Sequence, residues 1–205
     1  MKLFNRKTSG EAAADPAEHH SPGLATLVTH LEKREQSGLL DLGPSTTDSL
    51  HLLGPFAGSV EVVDLFRSVG GRQGERAERF VLPSVDRLPL PDSGAYDAML
   101  LWDLPLYLPR GELVGLVEKI RPLCRPGAIL FLVVTTVLPL APNPLHFRIV
   151  SRDRLAYVPP EQGYDPTPRL MPRDFEKNLR GFRPLHYYQL RNGLKELLFI
   201  REAVE

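Results

Sequence analysis

The chain has 205 residues, of which 42% are hydrophobic, and this suits one sizeable domain with a buried core. Its 25 basic residues balance 25 acidic ones, so net charge gives no overall attraction to nucleic acid or to an anionic membrane. The single cysteine, Cys124, excludes an internal disulfide and argues against a cysteine-built metal site. No apolar run approaches the roughly 18–20 residues of a membrane helix, so we expect a cytoplasmic protein.

Residues 1–22 have no apolar period, which predicts a flexible N-terminal tail before a domain over 23–205. Strands and helices alternate through residue 135, and this favours a mostly parallel sheet. The predicted strands cover residues 39–42, 59–65, 79–82, 95–102, 129–134, 182–190 and 195–201. The predicted helices cover residues 23–36, 111–123 and 170–181, with a further short helix that Thr47 or Asp48 caps.

The last two predicted strands flank Arg191-Asn192-Gly193, and Asn-Gly is a strong hairpin signal. The sequence therefore predicts a doubly wound α/β domain that closes with an antiparallel hairpin. Residues 138–168, with seven prolines, form either a stiff loop packed over the end of the sheet or a loop that binds a protein partner.

The polar turn after the first strand marks a candidate ligand site. In a doubly wound α/β domain, ligands lie beyond the carboxyl ends of the strands, where the strand order reverses. Gly43 lets the chain turn sharply there, and Asp41 is expected to orient the turn through backbone N–H groups. Asp64 ends the second predicted strand. Its carboxylate either accepts hydrogen bonds from two ribose hydroxyls, or it is a solvated strand-end acid or a cap on the next segment.

Four segments, in this order and spacing, resemble the class I S-adenosylmethionine-dependent methyltransferases over roughly residues 25–203. The segments are Leu-Asp-Leu-Gly at 40–43, Val-Val-Asp at 62–64, Leu-Pro-Leu-Pro at 88–91 with Tyr-Asp-Ala-Met-Leu-Leu-Trp-Asp at 96–103, and Leu-Cys-Arg-Pro-Gly-Ala at 123–128. The resemblance implies a Rossmann-like methyltransferase fold with a seven-stranded sheet. It also implies S-adenosylmethionine as the cofactor and methyl transfer to an unidentified small-molecule or protein acceptor.

The resemblance assigns roles to individual residues at this site. Asp41, Gly43, Ser45 and Asp64 match positions that hold the cofactor. Ser84, or the nearby Asp86, stands where an acid commonly contacts adenine.

Three residues at and after the end of the fourth predicted strand belong to the same assignment. Trp102 and Tyr107 would form walls of the pocket, and Asp103 would lie near the acceptor as a base. The alternative is that Trp102 is a core residue, Tyr107 an amphipathic surface residue and Asp103 a cap on the following turn.

Three departures from the family pattern bear on cofactor binding. Ser45 and Thr47 replace two glycines of the first turn, and Ala128 replaces a glycine of the last. Thr47 is β-branched, so its side chain either crowds the cofactor or simply caps a helix.

The sequence therefore leaves two functions open. One is methyl transfer, and the other is a non-catalytic methyltransferase-like protein with a degenerate pocket. The glycines of a dinucleotide-binding oxidoreductase are absent.

The remaining histidines and the cysteine have no recognisable catalytic spacing. His146 and His186 are expected to be structural or solvated, and Cys124 to be a packed core thiol.

Overall fold

The computed structural model describes residues 17–44, 47–69, 80–109, 111–135, 139–158, 163, 170–191 and 193–203. A six-stranded main sheet has the order β3-β2-β4-β5-β9-β8. The first four of these strands are parallel, and β9 and β8 complete the sheet in antiparallel pairings. The strands are β2 (Gly38–Asp41), β3 (Ser59–Val62), β4 (Tyr96–Trp102), β5 (Cys124–Thr135), β8 (Phe182–Gln189) and β9 (Leu194–Arg201). The predicted doubly wound sheet and its closing hairpin are confirmed.

Helices cover both faces of the main sheet. They are α1 (Pro22–Glu32), α2 (Thr47–Leu53), α3 (Leu65–Ser68), α4 (Leu113–Ile120) and α5 (Pro172–Asn178), with 3-10 helices at Val85–Arg87, Leu104–Tyr107 and Arg121–Leu123. None of the helices in the described ranges is both long and apolar enough to cross a membrane.

The two central strands are apolar at almost every position because side chains on both faces are buried. In β4, Met99 and Leu101 pack with α4 and α5 on one face, in a cluster that includes Phe175. Leu100 and Trp102 pack on the other face with α1 and with residues from a second, smaller sheet. The predicted core thiol, Cys124, is buried at the start of β5.

The smaller sheet has three strands in the antiparallel order β1-β7-β6: β1 (Ala17–His20), β6 (Arg148–Ser151) and β7 (Arg154–Tyr157). Strand β1 lies within the segment predicted to be a mobile tail. It is held because its backbone pairs with β7 and because Ser21 begins α1, accepting a hydrogen bond from Leu24 N at 3.1 Å. The polar sequence of β1 has no apolar alternation that would predict a strand. Residues 1–16 lie outside the described residues.

The predicted third strand, 79–82, does not form over its described part, Phe80–Leu82. Phe80 N donates to the carbonyl of Pro142 at 2.8 Å, and Leu82 N donates to the carbonyl of Tyr107 at 2.9 Å. These backbone groups therefore bond to two loops instead of to a neighbouring strand. Arg79 lies outside the described residues. The described part of the main sheet thus has six strands, where the sequence predicted seven.

The proline-rich segment packs over the sheet in its described part. Residues 139–147, here termed the strap, lie at the carboxyl end of β4, where Leu145 N bonds to Asp103 and Phe147 stacks on Trp102. Strands β6 and β7 follow as a hairpin. Phe147 and Tyr157 are buried against the main sheet.

The amino ends of β2 and β4 are joined by Asp97. Its carboxylate accepts hydrogen bonds from Arg34 at 2.6 Å, Arg125 at 2.8 Å and Gly38 N at 2.9 Å. Burial alone would raise the pKa of Asp97, but the Gly38 N–H and the two arginines outweigh burial and hold it below its usual value.

Candidate ligand site at the carboxyl ends of the parallel strands

Asp41 ends β2 with a carboxylate that faces into the protein and is only 1% exposed. Its Oδ1 accepts a hydrogen bond from Gly43 N at 3.0 Å and another from Trp102 Nε1 at 2.7 Å. Burial raises the pKa of Asp41 to about 6, and the negative charge of Asp64 adds to this, while the two hydrogen bonds oppose it. Asp41 therefore shapes the turn through a backbone N–H, as the sequence predicted, and also fixes the indole.

Gly43 lies directly against Trp102. A Cβ atom at residue 43 would be 2.0 Å from Cδ1 of the indole and 2.6 Å from Nε1. Residue 43 must therefore be glycine for the indole to approach the backbone this closely. The indole fills the space on that side of the turn.

Trp102 is 2% exposed and is held from three directions. Besides its bond to Asp41, it stacks on Phe147 at 5.3 Å between ring centroids with 9° between the planes, and it meets Phe131 edge-on at 5.6 Å. Its backbone has φ of 50°, a left-handed conformation that bulky residues rarely adopt. The structure thus makes Trp102 a core residue that also borders the candidate site.

Asp64 follows β3 and lies half-buried at the same edge of the sheet as Asp41. Its Oδ1 caps α3 by accepting a hydrogen bond from Arg67 N at 2.9 Å. The capping alternative from the sequence is therefore confirmed. The Asp64 carboxylate can still accept further hydrogen bonds, since an ionised carboxylate has about four lone-pair sites.

Asp103 is 3% exposed, and its carboxylate does not cap the 3-10 helix that follows. The capping alternative was wrong, because Oδ2 instead accepts a hydrogen bond from Leu145 N in the strap at 2.9 Å. Within the described residues, Oδ1 is buried without a hydrogen bond. Burial raises the pKa of Asp103 to about 7, although the bond from Leu145 and the nearby Tyr107 hydroxyl oppose this.

Tyr107 is buried, so the alternative of an amphipathic surface position was wrong. Its hydroxyl donates to the carbonyl of Asn143 at 2.7 Å, with the carbonyl of Ala141 at 3.1 Å. A buried tyrosine needs such partners, and the strap supplies them.

Ser84 and Asp86, predicted near adenine, make their described contacts with α4 and the residue before it. Ser84 Oγ donates to Glu112 Oε1 at 3.2 Å. Asp86 is 91% exposed in its side chain and lies 3.5 Å from Lys119 Nζ. None of these contacts joins the two residues to Asp41, Gly43 or Asp64.

Ser45 and Thr47 replace glycines in the predicted glycine loop. Ser45 lies outside the described residues. Thr47 begins α2, but its side chain is outside the described part of the structure. The crowding predicted at these positions stays a prediction.

His146 is a member of the site that sequence reasoning missed. Its half-buried ring meets Phe66 edge-on at 6.0 Å, and Asp64 and Arg67 lie close enough to act on its charge. Burial lowers the pKa of His146, with Arg67 adding to this and Asp64 opposing it. No spacing in the sequence signals this contact, because the strap brings His146 back to the end of β3 from far along the chain.

The described residues contain no group of three or more His, Cys, Asp or Glu side chains arranged to hold a metal ion.

No protein-family model and no curated protein matches the chain. Solved structures do match it across most of its length. One is the 1,6-didemethyltoxoflavin-N1-methyltransferase of Burkholderia thailandensis with bound 1,6-didemethyltoxoflavin and S-adenosylhomocysteine. It is 19% identical, with a TM-score of 0.52 over 89% of this chain and 77% of that chain. The chain has a class I methyltransferase-like fold.

A second similar structure comes from work on the conversion of a disulfide bond into a thioacetal group during echinomycin biosynthesis. It is 16% identical, with a TM-score of 0.50 over 90% of this chain and 82% of that chain. Both likenesses concern the fold, and at the level of the fold they confirm the resemblance drawn from the four sequence segments.

Proposed function

We propose that this methyltransferase-like protein binds S-adenosylmethionine at the carboxyl ends of β2 and β3 and transfers its methyl group to an acceptor. One observation carries the proposal. Asp41 ends β2, Asp64 follows the neighbouring parallel strand β3, and the two lie close enough for the charge of Asp64 to raise the pKa of Asp41. In open α/β sheets, this edge is where ligands bind.

The residues fit the ribose end of the cofactor. Asp64 is half-buried and keeps acceptor capacity beyond its bond to Arg67 N, so it would hold the ribose hydroxyls. Asp41 and Trp102 would support the turn at Gly43 from behind. When bound, the cofactor supplies a methyl group already activated on a sulfonium, so positioning of the acceptor provides much of the rate.

The acceptor in this proposal is a small molecule or a protein that approaches across residues 138–168. The described part of that segment crosses the strand ends above Asp103. Asp103 would act on the acceptor only if the strap moved, since its carboxylate is buried beneath Leu145.

A second function is favoured by the packing of Trp102 on Gly43. Because the indole fills the space that the glycine leaves, the glycine turn offers less room to a ligand on that side. A protein that kept the fold and lost the cofactor would act as a binding module without catalysis.

Titration calorimetry with S-adenosylmethionine and S-adenosylhomocysteine, up to millimolar ligand, separates the two functions. The first function predicts binding of both ligands. It also predicts that Asp64→Ala weakens binding at least tenfold, the loss of about 1.4 kcal/mol expected for a charge-assisted contact. The control is Asp92→Ala, an exposed acid in the loop before the amino end of β4. Absence of binding by the wild-type protein would contradict the enzyme and support the module.

A further inference from the structure

An open groove lies between α1 and the antiparallel strands β8 and β9. Its volume is about 420 Å³, which is within the size range of small-molecule pockets. Ile129, Leu185 and Ile200 line the groove from the sheet, and Thr29 and Lys33 are among the residues that line it from α1 and its end. The groove therefore has an aliphatic floor and a polar wall.

The strand register places this floor at the end of the sheet opposite to the candidate ligand site. Ile129 pairs with Ala98, near the amino end of β4, and also with Ile200 in β9. Ile200 pairs in turn with Arg183 in β8. Because directly opposed residues of antiparallel strands share a face of the sheet, Arg183 lies on the same face as the aliphatic floor.

One end of the groove is closed by a contact between α1 and β8. The hydroxyl groups of Thr26 and Tyr188 lie 3.1 Å apart, and the groove begins beyond them, toward the end of α1. Thr26 also donates to the carbonyl of Pro22 at 2.9 Å, and Thr29 donates to the carbonyl of Ala25 at 2.8 Å. These two threonine protons are used within the helix, so the donors left for a ligand are on other side chains.

The charged side chains beside the groove are basic. Lys33 and Arg183 are both exposed, and neither forms an ion pair with a described residue. None of the described residues that line the groove is acidic. The nearby acid Asp97 is already bound by Arg34 and Arg125. The chain has no net charge, so this positive charge is a local feature that would attract an anion.

His30 contributes a neutral ring to the groove wall. Burial lowers its pKa, and the charges of Arg34 and Lys33 add to this, while Asp97 opposes it. The imidazole is therefore uncharged at neutral pH, and the positive charge beside the groove comes from Lys33 and Arg183.

The dimensions of the groove favour a small molecule over a protein partner. A stable protein interface buries about 800 Å² on each partner and is usually centred on aromatic anchors. The floor of this groove consists of three aliphatic side chains from β5, β8 and β9. An apolar body of a few carbon atoms would cover that floor and leave its charged end at the rim.

We propose that the groove between α1 and β8 binds a small amphipathic carboxylate, an acid with a short apolar chain or ring. The apolar part would cover Ile129, Leu185 and Ile200, and the carboxylate would lie at the rim beside Lys33 and Arg183, where charge-assisted hydrogen bonds are available. The site is separate from the carboxyl ends of β2 and β3, so the inference does not rest on the proposed function.

Amide chemical-shift mapping with octanoate, 1-octanol and acetate tests the two halves of the recognition. Millimolar octanoate should shift the amides of Lys33, Arg183 and Ile200 along a saturable curve. Acetate lacks the apolar chain and octanol lacks the charge, so each should bind at least tenfold more weakly. Equal affinity for octanoate and octanol, or octanoate shifts centred on Gly43 and Asp64, would overturn the proposal.

Substitutions at the rim test the assigned cations. Lys33→Gln and Arg183→Gln should each weaken octanoate binding severalfold, and both residues are exposed, so the fold should be kept. The matched control is Lys177→Gln, an exposed lysine in α5 on the opposite face of the sheet, which should leave the affinity unchanged. Wild-type affinity in both rim variants would contradict the site.

Two further measurements separate the groove from other interpretations. Saturating S-adenosylhomocysteine should leave octanoate binding unchanged, whether or not it binds at the strand ends, and competition between the two ligands would contradict a separate site. Analytical ultracentrifugation should show no dimer at the protein concentration used for the titration. A dimer accompanied by concentration-dependent shifts of Lys33, Arg183 and Ile200 without octanoate would assign the groove to a second copy of the chain and overturn the proposal.

Discussion

The indole N–H of Trp102 donates a 2.7 Å hydrogen bond to Oδ1 of Asp41, and this bond joins the carboxyl ends of two adjacent parallel strands. The same carboxylate oxygen accepts the backbone N–H of Gly43, so one buried acid fixes both the turn and the aromatic side chain above it. The shape of the candidate site thus depends on a polar contact inside the core.

Trp102→Phe should destabilise the protein by about 1–3 kcal/mol, because Asp41 stays buried and loses one of its two donors. Trp102→Ala should cost about 3–5 kcal/mol, since it also leaves a cavity beside Phe147 and Phe131. Urea unfolding followed by far-UV circular dichroism measures both. Tyr187→Phe, which removes an exposed hydroxyl bonded to Glu176, is the control and should change stability by less than about 0.5 kcal/mol. A Trp102→Phe protein as stable as wild type would contradict the role given to the bond.

Gly43→Ala should be strongly destabilising, by about 2 kcal/mol or more, because the new methyl group would overlap the rigid, buried indole of Trp102. Gly115→Ala provides the matched control. Gly115 lies within α4, and a Cβ there would have its nearest neighbour at 3.8 Å, so alanine should stabilise the helix by about 0.5–1 kcal/mol. Thermal unfolding of the two variants side by side measures the contrast. Equal effects at the two glycines would show that the indole does not occupy this space.

Asp41 and Asp103 should make stability fall as pH rises from about 4 to about 7, and His30 and His146, whose pKa values are lowered by burial, should offset part of this fall. Folding raises the pKa of Asp41 to about 6 and that of Asp103 to about 7 from the usual 3.8. The contribution of these two carboxyl groups to the free energy of unfolding is therefore fully present below pH 3.8. It is lost as pH rises through their pKa values in the folded protein. Urea unfolding at each pH measures the trend.

Asp103→Asn should remove the upper part of this pH dependence, because the amide has no proton to lose between pH 6 and pH 7. Asp97 provides the contrast, since its lowered pKa gives stability that is present above pH 3.8 and lost in acid. An Asp103→Asn profile parallel to that of wild type up to pH 8 would contradict the burial assigned to Asp103.

Asp64→Asn should lower the pKa of His146, because the negative charge of Asp64 is one of the influences that raise it. Asparagine also caps helices well, so α3 should keep its first turn and the protein its stability. Proton NMR of the histidine rings across pH 4–9 gives the measurement. The ring signals of His186, on the edge strand β8, serve as the internal control. An unchanged pKa of His146 would show that the strap does not bring the two residues together.

The strongest sequence signals predicted the parts of the fold that depend on local pattern. Continuous apolar runs predicted β4 and β5, and Asn-Gly predicted the closing hairpin. The strand β1 was missed because its stability comes from pairing with β7, and its residues carry no apolar alternation. The backbone of Phe80–Leu82 was assigned to a strand because local pattern does not show that two loops would take its hydrogen bonds.

The candidate site was predictable where it lies next to a strand and not where it depends on the strap. Asp41, Gly43 and Asp64 follow strands directly, so their placement followed from the topology. The partner of Asp103 and the position of His146 depend on how the strap crosses the sheet, a tertiary arrangement that residue spacing does not encode.

The central claim is that a nucleoside cofactor binds at the carboxyl ends of β2 and β3. Amide chemical-shift mapping by two-dimensional NMR during titration with S-adenosylhomocysteine tests it most directly. We predict that the largest shifts fall on Gly43, Asp64 and His146, while Gly38 and Asp97 at the amino ends of the strands stay unchanged. Shifts centred on Gly38 and Asp97, or no shifts at millimolar ligand, would contradict the claim.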